Sequence, residues 1–358
     1  MLRKLVVTST PQISQQQIYQ ALTSRTALKM LTLLAGFSVV AFAQGVLAWG
    51  NLGHETVGYV AQEFLAPKAL AFVQSSLGST YNETLGAAAT WADSIKYTSG
   101  YTWSAPLHFV DAEDSPLNGS CSVEETRDCG DSDCILTAIA NYTTRVAKTS
   151  LSKAQRQEAL KFLDHFLGDI GQPLHVEAYE VGGNDISAKC SGKDTNLHAA
   201  WDTGIVTKNI DDNHDGDVQT YAADLVAKIK TGSYKSLTSK WLSCTSTTEP
   251  VEKRFLYQKS HTLEDDVKAL LARAEAEEAD VYLERRATIT PLECPLVWAQ
   301  ESNANCCSVV FSYTSGEDLC TSSYYTKAVP VIDLQLAKQG YRLAAWLNVI
   351  FDGDTNLP

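Results

Sequence analysis

The sequence reads as an all-α protein: one mainly helical domain with long loops. Three observations carry that reading. Apolar residues recur at helical spacing through most of the chain, β-branched alternation is scarce, and the helical runs close on Gly and Pro stop signals. The chain has 358 residues, 44% apolar and 20% charged, enough for a sizeable core and unlike a disordered or collagen-like chain. No internal repeat is visible.

The chain opens with a segment that is read as outside the fold. Residues 27–48, ALKMLTLLAGFSVVAFAQGVLA, place basic residues before an apolar run ending in Val46-Leu47-Ala48. That pattern predicts a signal peptide cleaved before Trp49, so residues 1–48 are removed and the mature protein is secreted. The rival is an uncleaved anchor, because the run approaches the roughly 20 residues that span a bilayer. Residues 1–26 look like neither signal nor fold, and translation could begin at Met1 or at Met30.

The mature domain, 49–358, then reads as a series of helices. In 54–65 the residues Val57, Val60, Ala61 and Phe64 share one stripe before Pro67. A long amphipathic run, 151–170, stops at Gly171-Gln172-Pro173. Further helices are expected over 217–230, 262–286 and 331–351. Segment 245–292 is rich in Glu, Ala and Lys and reads as an exposed helical insertion whose charges form a solvated face.

All nine cysteines follow Ala48 and none forms a CxxC pair, so behind a signal peptide they read as disulfides rather than zinc fingers. Nine is odd, so one is free, idle or paired between molecules. Cys244 and Cys294 flank the insertion and are expected to staple its base. Sequons at Asn82, Asn118 and Asn141 suit glycosylation of a secreted chain.

Charge excludes one class of function. The first 48 residues hold four basic side chains and no acidic one; without them the net charge moves from −13 to −17. No basic run exists to grip a phosphate backbone by charge alone. If nucleic acid is bound, something other than Lys and Arg must supply positive charge.

Seven histidines are present, and their company is informative. His165 and Asp169 stand at i and i+4 on one helix face, and His198 and Asp202 repeat that spacing in NLHAAWD. His175 follows a helix stop, His54 lies just after the expected new N-terminus, Asp93 sits in TWADSIKY and His108 in PLHFVD. Imidazole with carboxylate is the donor set of catalytic zinc, whereas closed structural sites favour thiolate. One His–Asp pair alone is commonly an ordinary polar contact; five histidines with three carboxylates point to metal.

The motifs WGNLGHETVGYVAQ, TWADSIKY, HFVDAEDSP, GDIGQPLHVE, GGNDI, TNLHAAWDT and GYRLAAWL closely resemble the fungal and plant zinc-dependent single-strand nucleases of the S-one/P-one type, related in fold to bacterial phospholipase C. The resemblance runs from Trp49 to about Phe351, interrupted mainly by 245–292. It implies three Zn2+ ions. One is held by Asp93, His108, His165 and Asp169. A second takes His54, Asp169 as a bridge, and the α-amine and carbonyl oxygen of Trp49. The third takes His175, His198 and Asp202. Every ligand position carries the expected residue type.

The implied chemistry is in-line attack on phosphorus by a water activated between two ions, the third ion stabilising the leaving 3′-oxygen. Three divalent ions would also let an acidic protein hold a polyanion. By resemblance Lys96 contacts phosphate, Phe109 stacks a base and Asp111 bonds its edge; Asn184 and Asp185 border that site. The plainer alternatives are a solvated Lys96 and a core Phe109. Stacking needs a splayed base, hence single strands. The resemblance also implies disulfides Cys129–Cys134 and Cys121–Cys307, although the adjacent Cys306 leaves the partner of Cys121 ambiguous. Cys190, Cys306 and Cys320 stay unassigned.

DDNHDGDV at 211–218 matches half of a calcium loop through Asp211, Asn213, Asp215, Gly216 and Val218. The twelfth position is Ala222, where a bidentate Glu belongs, so an acidic helix-leading loop is preferred. His214 and His261 stay outside the zinc set. The function expected is an endonuclease on single-stranded DNA and RNA giving 5′-phosphorylated products, with 3′-nucleotidase activity, acting as a monomer without stable membrane association after cleavage. The rivals are a phospholipase-C-like enzyme on lipid head groups and a non-enzymatic zinc-binding protein.

Overall fold

Helix α1, Asn51–Gln62, starts where the Gly50 carbonyl accepts from the backbone N–H of Gly53 and His54. It therefore begins and ends three residues before the expected 54–65, and Phe64 packs in the core from just beyond its end. The computed structural model describes residues 49–129, 133–244, 261–279 and 293–357, all within one compact unit. The expected leader 1–48 and the insertion's flanks, 245–260 and 280–292, lie outside the described residues.

The named helices continue as α2 (Pro67–Leu77), α3 (Trp91–Ile95), α4 (Ile135–Ala147), α5 (Lys153–Asp169), α6 (Ile205–Asn213), α7 (Val218–Lys230), α8 (Leu263–Ala279), α9 (Glu293–Asn305) and α10 (Ser323–Asp352). A capping box opens α5: Ser152 Oγ accepts from the Gln155 N–H, and Gln155 Oε1 accepts from the Ser152 N–H. Asp217 caps α7 through the Thr220 N–H at 2.8 Å. Helix α5 buries Leu160, Leu163, Phe166 and Leu167, packs on α4, and runs beside α1 and α10. These helices hold the site.

The last helix is longer than 331–351. It starts at Ser323, capped by Ser322 Oγ, and passes through Pro330. Proline removes one backbone bond and crowds the preceding turn, but the buried face of α10 outweighs that local cost. A left-handed Gly353, φ 86°, ends the helix.

Two further features differ from the sequence reading. In α8, Leu263, Val267, Leu270 and Ala274 are buried, and the helix packs on α10 and α4. The described part of 245–292 is therefore an amphipathic core helix rather than a wholly exposed one: its abundant charges hid an apolar stripe at helical spacing. A small antiparallel hairpin, β1 (Ser187–Cys190) with β2 (Lys193–Asn196), lies between helices. Its turn places Ser191 and Gly192 at φ 51° and 76°, the mirror-image geometry of tight hairpins.

Four disulfides are closed: Cys121–Cys307, Cys129–Cys134, Cys190–Cys320 and Cys244–Cys294. Cys306 is a buried free thiol, so Cys307 rather than its neighbour bonds Cys121. Asn82, Asn118 and Asn141 are all exposed. No helix among the described residues is long and apolar enough to cross a membrane.

Candidate metal centre

Helix α5 ends in the interior at Asp169, with His165 one turn earlier on the same face. A helix C-terminus carries negative partial charge, which suits a cation. The other elements converge on that end. Helix α1 brings His54, α3 brings Asp93, and a 3-10 segment, Thr102–His108, delivers His108. His54 can approach because Gly168 has no side chain: a Cβ there would sit 3.0 Å from His54 Nδ1.

The two oxygens of Asp169 face different partners. Oδ1 lies 3.1 Å from His54 Nε2; Oδ2 lies 3.0 Å from His108 Nδ1 and 3.2 Å from His165 Nε2. Asp93 Oδ1 stands 3.4 Å from His165 Nε2 and 3.6 Å from His108 Nδ1. His54 and His165 stack with ring centroids 3.6 Å apart.

A third group forms alongside. The turn Pro173–Val176 carries His175, and the helical stretch from Leu197 to Gly204 carries His198 and Asp202. His198 Nε2 is 3.0 Å from Asp202 Oδ2, and His175 Nε2 is 3.9 Å from Asp202 Oδ1. Thus three sets of ligand atoms converge: His54, His165 and Asp169; Asp93, His108 and His165; His175, His198 and Asp202. All eight side chains are buried.

These residues fit metal ions. His54, His108, His165, His175 and His198 each leave Nε2 buried without a hydrogen-bond partner, as do Asp93 Oδ2 and Asp169 Oδ1. Such atoms are costly unless something fills the space between them. Three histidines have their other nitrogen at a backbone carbonyl: His165 Nδ1 at Ala89 (2.6 Å), His175 at His108 (2.9 Å) and His198 at Gly182 (2.7 Å). A donor N–H there fixes the tautomer that turns Nε2 toward a metal. These carbonyls have no residue-type signature, so no sequence signal could reveal them.

Electrostatics supports the same use. Burial pushes His54, His108 and His175 down, His108 to about 3. Burial also opposes charge on His165, but Asp169 and Asp93 outweigh it and raise that ring to about 10. In Asp169 and Asp93 burial is outweighed chiefly by His165, and both carboxyls are held low. The two carboxylates thus concentrate negative charge among the imidazoles, which suits a cation.

The remaining expected residues fall around this centre in different ways. Lys96 is buried with Nζ 2.6 Å from Asp93 Oδ1, not solvated. Trp49 is buried; its indole N–H donates to the Gly168 carbonyl, and the next amide, Gly50, donates to Asp202. Phe109 follows ligand His108, is half-buried and lies outside the packed core. Asp111 is exposed, and partial desolvation, then Glu113 and Asp128, raise its carboxyl. The Asn184 amide donates to Val181 in its own turn, and Asp185 is exposed; the loop reaches the centre through the Gly182 carbonyl.

Asp211 and Asn213 lie inside α6, so the half match to a calcium loop is helical where a binding loop must be open, and Asp217 caps α7 in line with the preferred helix-leading reading. A fourth convergence, His261, Asp266 and Cys294, lacks a thiolate because Cys294 is bonded to Cys244.

Buried histidines and aspartates gathered into three adjoining groups define a class of helical protein whose interior could hold metal ions. Comparison with known proteins gives the particular family. A family model described as S1/P1 Nuclease matches residues 49–289 and 249–352, and the chain belongs to that family. It is 39% identical over 306 residues to Nuclease P1 of Penicillium citrinum, spanning 84% of this chain and 97% of that one. Identity to Nuclease S1 of Aspergillus oryzae is 37% over 317 residues, 87% and 95% of the two chains. Endonuclease 2 of Arabidopsis thaliana is 31% identical over 320 residues, 86% and 92%.

Proposed function

We propose that this protein is a secreted, zinc-dependent endonuclease that cuts single-stranded DNA and RNA to 5′-phosphorylated products and removes phosphate from 3′-nucleotides. The reading is of a monomer, Trp49 onward, without stable membrane association once residues 1–48 are removed. One observation carries it: in a member of the S1/P1 nuclease family, eight buried candidate ligand side chains converge in three groups, and seven of them leave a buried nitrogen or oxygen without a hydrogen-bond partner.

Three zinc ions would be held by Asp93, His108, His165 and Asp169; by His54, Asp169 and the terminal amine and carbonyl of Trp49; and by His175, His198 and Asp202. Zinc supplies Lewis acidity, lowering the pKa of water toward neutrality and drawing charge from phosphoryl oxygen. The protein supplies the rest. Asp169 faces two ligand sets with its two oxygens, Lys96 places an ammonium at the rim of the Asp93 carboxylate, and Phe109 offers an aromatic face free of core packing for a splayed base. Asp111, Asn184 and Asp185 are the polar groups assigned to the base edge and its border.

The test is metal analysis of the secreted protein alongside its products on single-stranded DNA. Close to three zincs and 5′-phosphorylated fragments support the reading. Lecithin hydrolysis without nucleic-acid cleavage, or metal-independent cleavage, would overturn it.

A further inference from the structure

We infer that Gln172 is a positioning residue for the third metal site, holding two of its three ligands with the two ends of one amide. The inference rests on the zinc reading above.

Gln172 is fully buried in the turn between the Asp169 end of α5 and the segment bearing His175. Its Nε2 donates to Asp202 Oδ1, and its Oε1 accepts the Leu174 N–H at 2.6 Å. One contact orients a carboxylate ligand, and the other fixes the backbone one residue before His175. With Oδ1 occupied, Asp202 keeps Oδ2 aimed at the His198 side, 3.0 Å from Nε2. A carboxylate cannot satisfy two roles if it is free to rotate, and a neutral donor stops rotation without adding charge.

The turn itself is clamped from two helices that carry no ligand. Gln335 of α10 donates to the Gly171 carbonyl at 2.8 Å, Ser302 of α9 to Ile170 at 2.7 Å, and Asn303 of α9 to Val176 at 2.9 Å. Gln172 is thus held on a rigid base and cannot follow a displaced Asp202. Only a side chain with a donor at one end and an acceptor at the other satisfies both contacts. Glutamate would keep the bond to Leu174 and set a second negative charge against Asp202; leucine would keep neither.

The experiment titrates zinc into the chelated wild type, Gln172→Glu and Gln172→Leu, counting bound ions by mass spectrometry and reading Tm with and without metal. The expected result is three ions in the wild type and two in both variants at limiting free zinc, the third returning only at roughly 10- to 100-fold higher zinc. The metal-free Tm of both variants should fall, that of Gln172→Glu because its carboxylate faces buried Asp202 without a counter-charge, so the zinc count and not Tm decides the assignment. A role in folding alone would leave the zinc count at three, which overturns the assignment. Should Gln172→Leu fail to fold, Gln172→Glu decides. A wild-type count below three overturns the zinc reading and takes this inference with it; three in the wild type and unchanged affinity in Gln172→Glu overturns this inference alone.

Discussion

The indole N–H of Trp49 donates to the carbonyl of Gly168 at 3.1 Å across 119 residues of sequence. The start of the described chain is thereby fastened beside Asp169, the last residue of the helix at the candidate metal centre.

Activity should require a chain that begins at Trp49. Its α-amine, with an ordinary pKa near 8, can lose a proton to zinc, whereas a peptide nitrogen cannot ligate in that way. A protein with two extra residues ahead of Trp49 should fold and keep its disulfides, yet lose one zinc and most activity. Wild-type rates from a chain confirmed to retain the extension would contradict the ligand assignment.

Chelation should abolish activity and lower Tm. The ions would compensate the mutual repulsion of Asp93 and Asp169 and pair the buried Nε2 atoms, so ligand binding to the native state adds stability. Thermal scans before and after treatment with a chelator, followed by zinc readdition, check this. An unchanged Tm would show that the cluster is self-sufficient.

Phe109→Ala should raise the Michaelis constant for short single-stranded substrates while zinc content stays constant. The loss expected from stacking is roughly 1–3 kcal/mol per base. A normal Michaelis constant paired with a fallen Tm would return Phe109 to a packing role.

Away from the site, Glu301 offers a test of stability against pH. Its carboxylate meets the wholly buried Arg342 at 2.7 Å and Lys338 at 3.4 Å. Burial opposes its ionisation, but Arg342 and Lys338 outweigh burial and hold the pKa below the ordinary 4.5. A depressed folded pKa means stability that is fully present above pH 4.5 and is lost as pH falls through the lower folded value. Glu301→Gln should therefore cost about 1–3 kcal/mol at neutral pH, less than a fully buried pair because Glu301 is partly exposed. The Tm gap between variant and wild type should narrow below pH 4; a gap that is constant with pH would remove charge from the explanation.

The sequence by itself determined the helical class, the residue types of the candidate metal ligands, and the two local pairs His165–Asp169 and His198–Asp202. All of these are short-range: helical periodicity and i, i+4 spacing are fixed by the geometry of one helix. It also carried enough motif to imply which distant histidines belong together, but only by resemblance. Tertiary structure decided what spacing cannot express. It turned the two Asp169 oxygens toward different partners, placed the carbonyls of Ala89, His108 and Gly182 behind three histidines, and set Gln172 between Asp202 and Leu174. It paired Cys190 with Cys320, buried one face of α8 despite its charges, and drove α10 through Pro330. Each depends on which faces of remote helices pack together, and burial summed over a whole interface overrides a local preference worth a few kcal/mol at one residue.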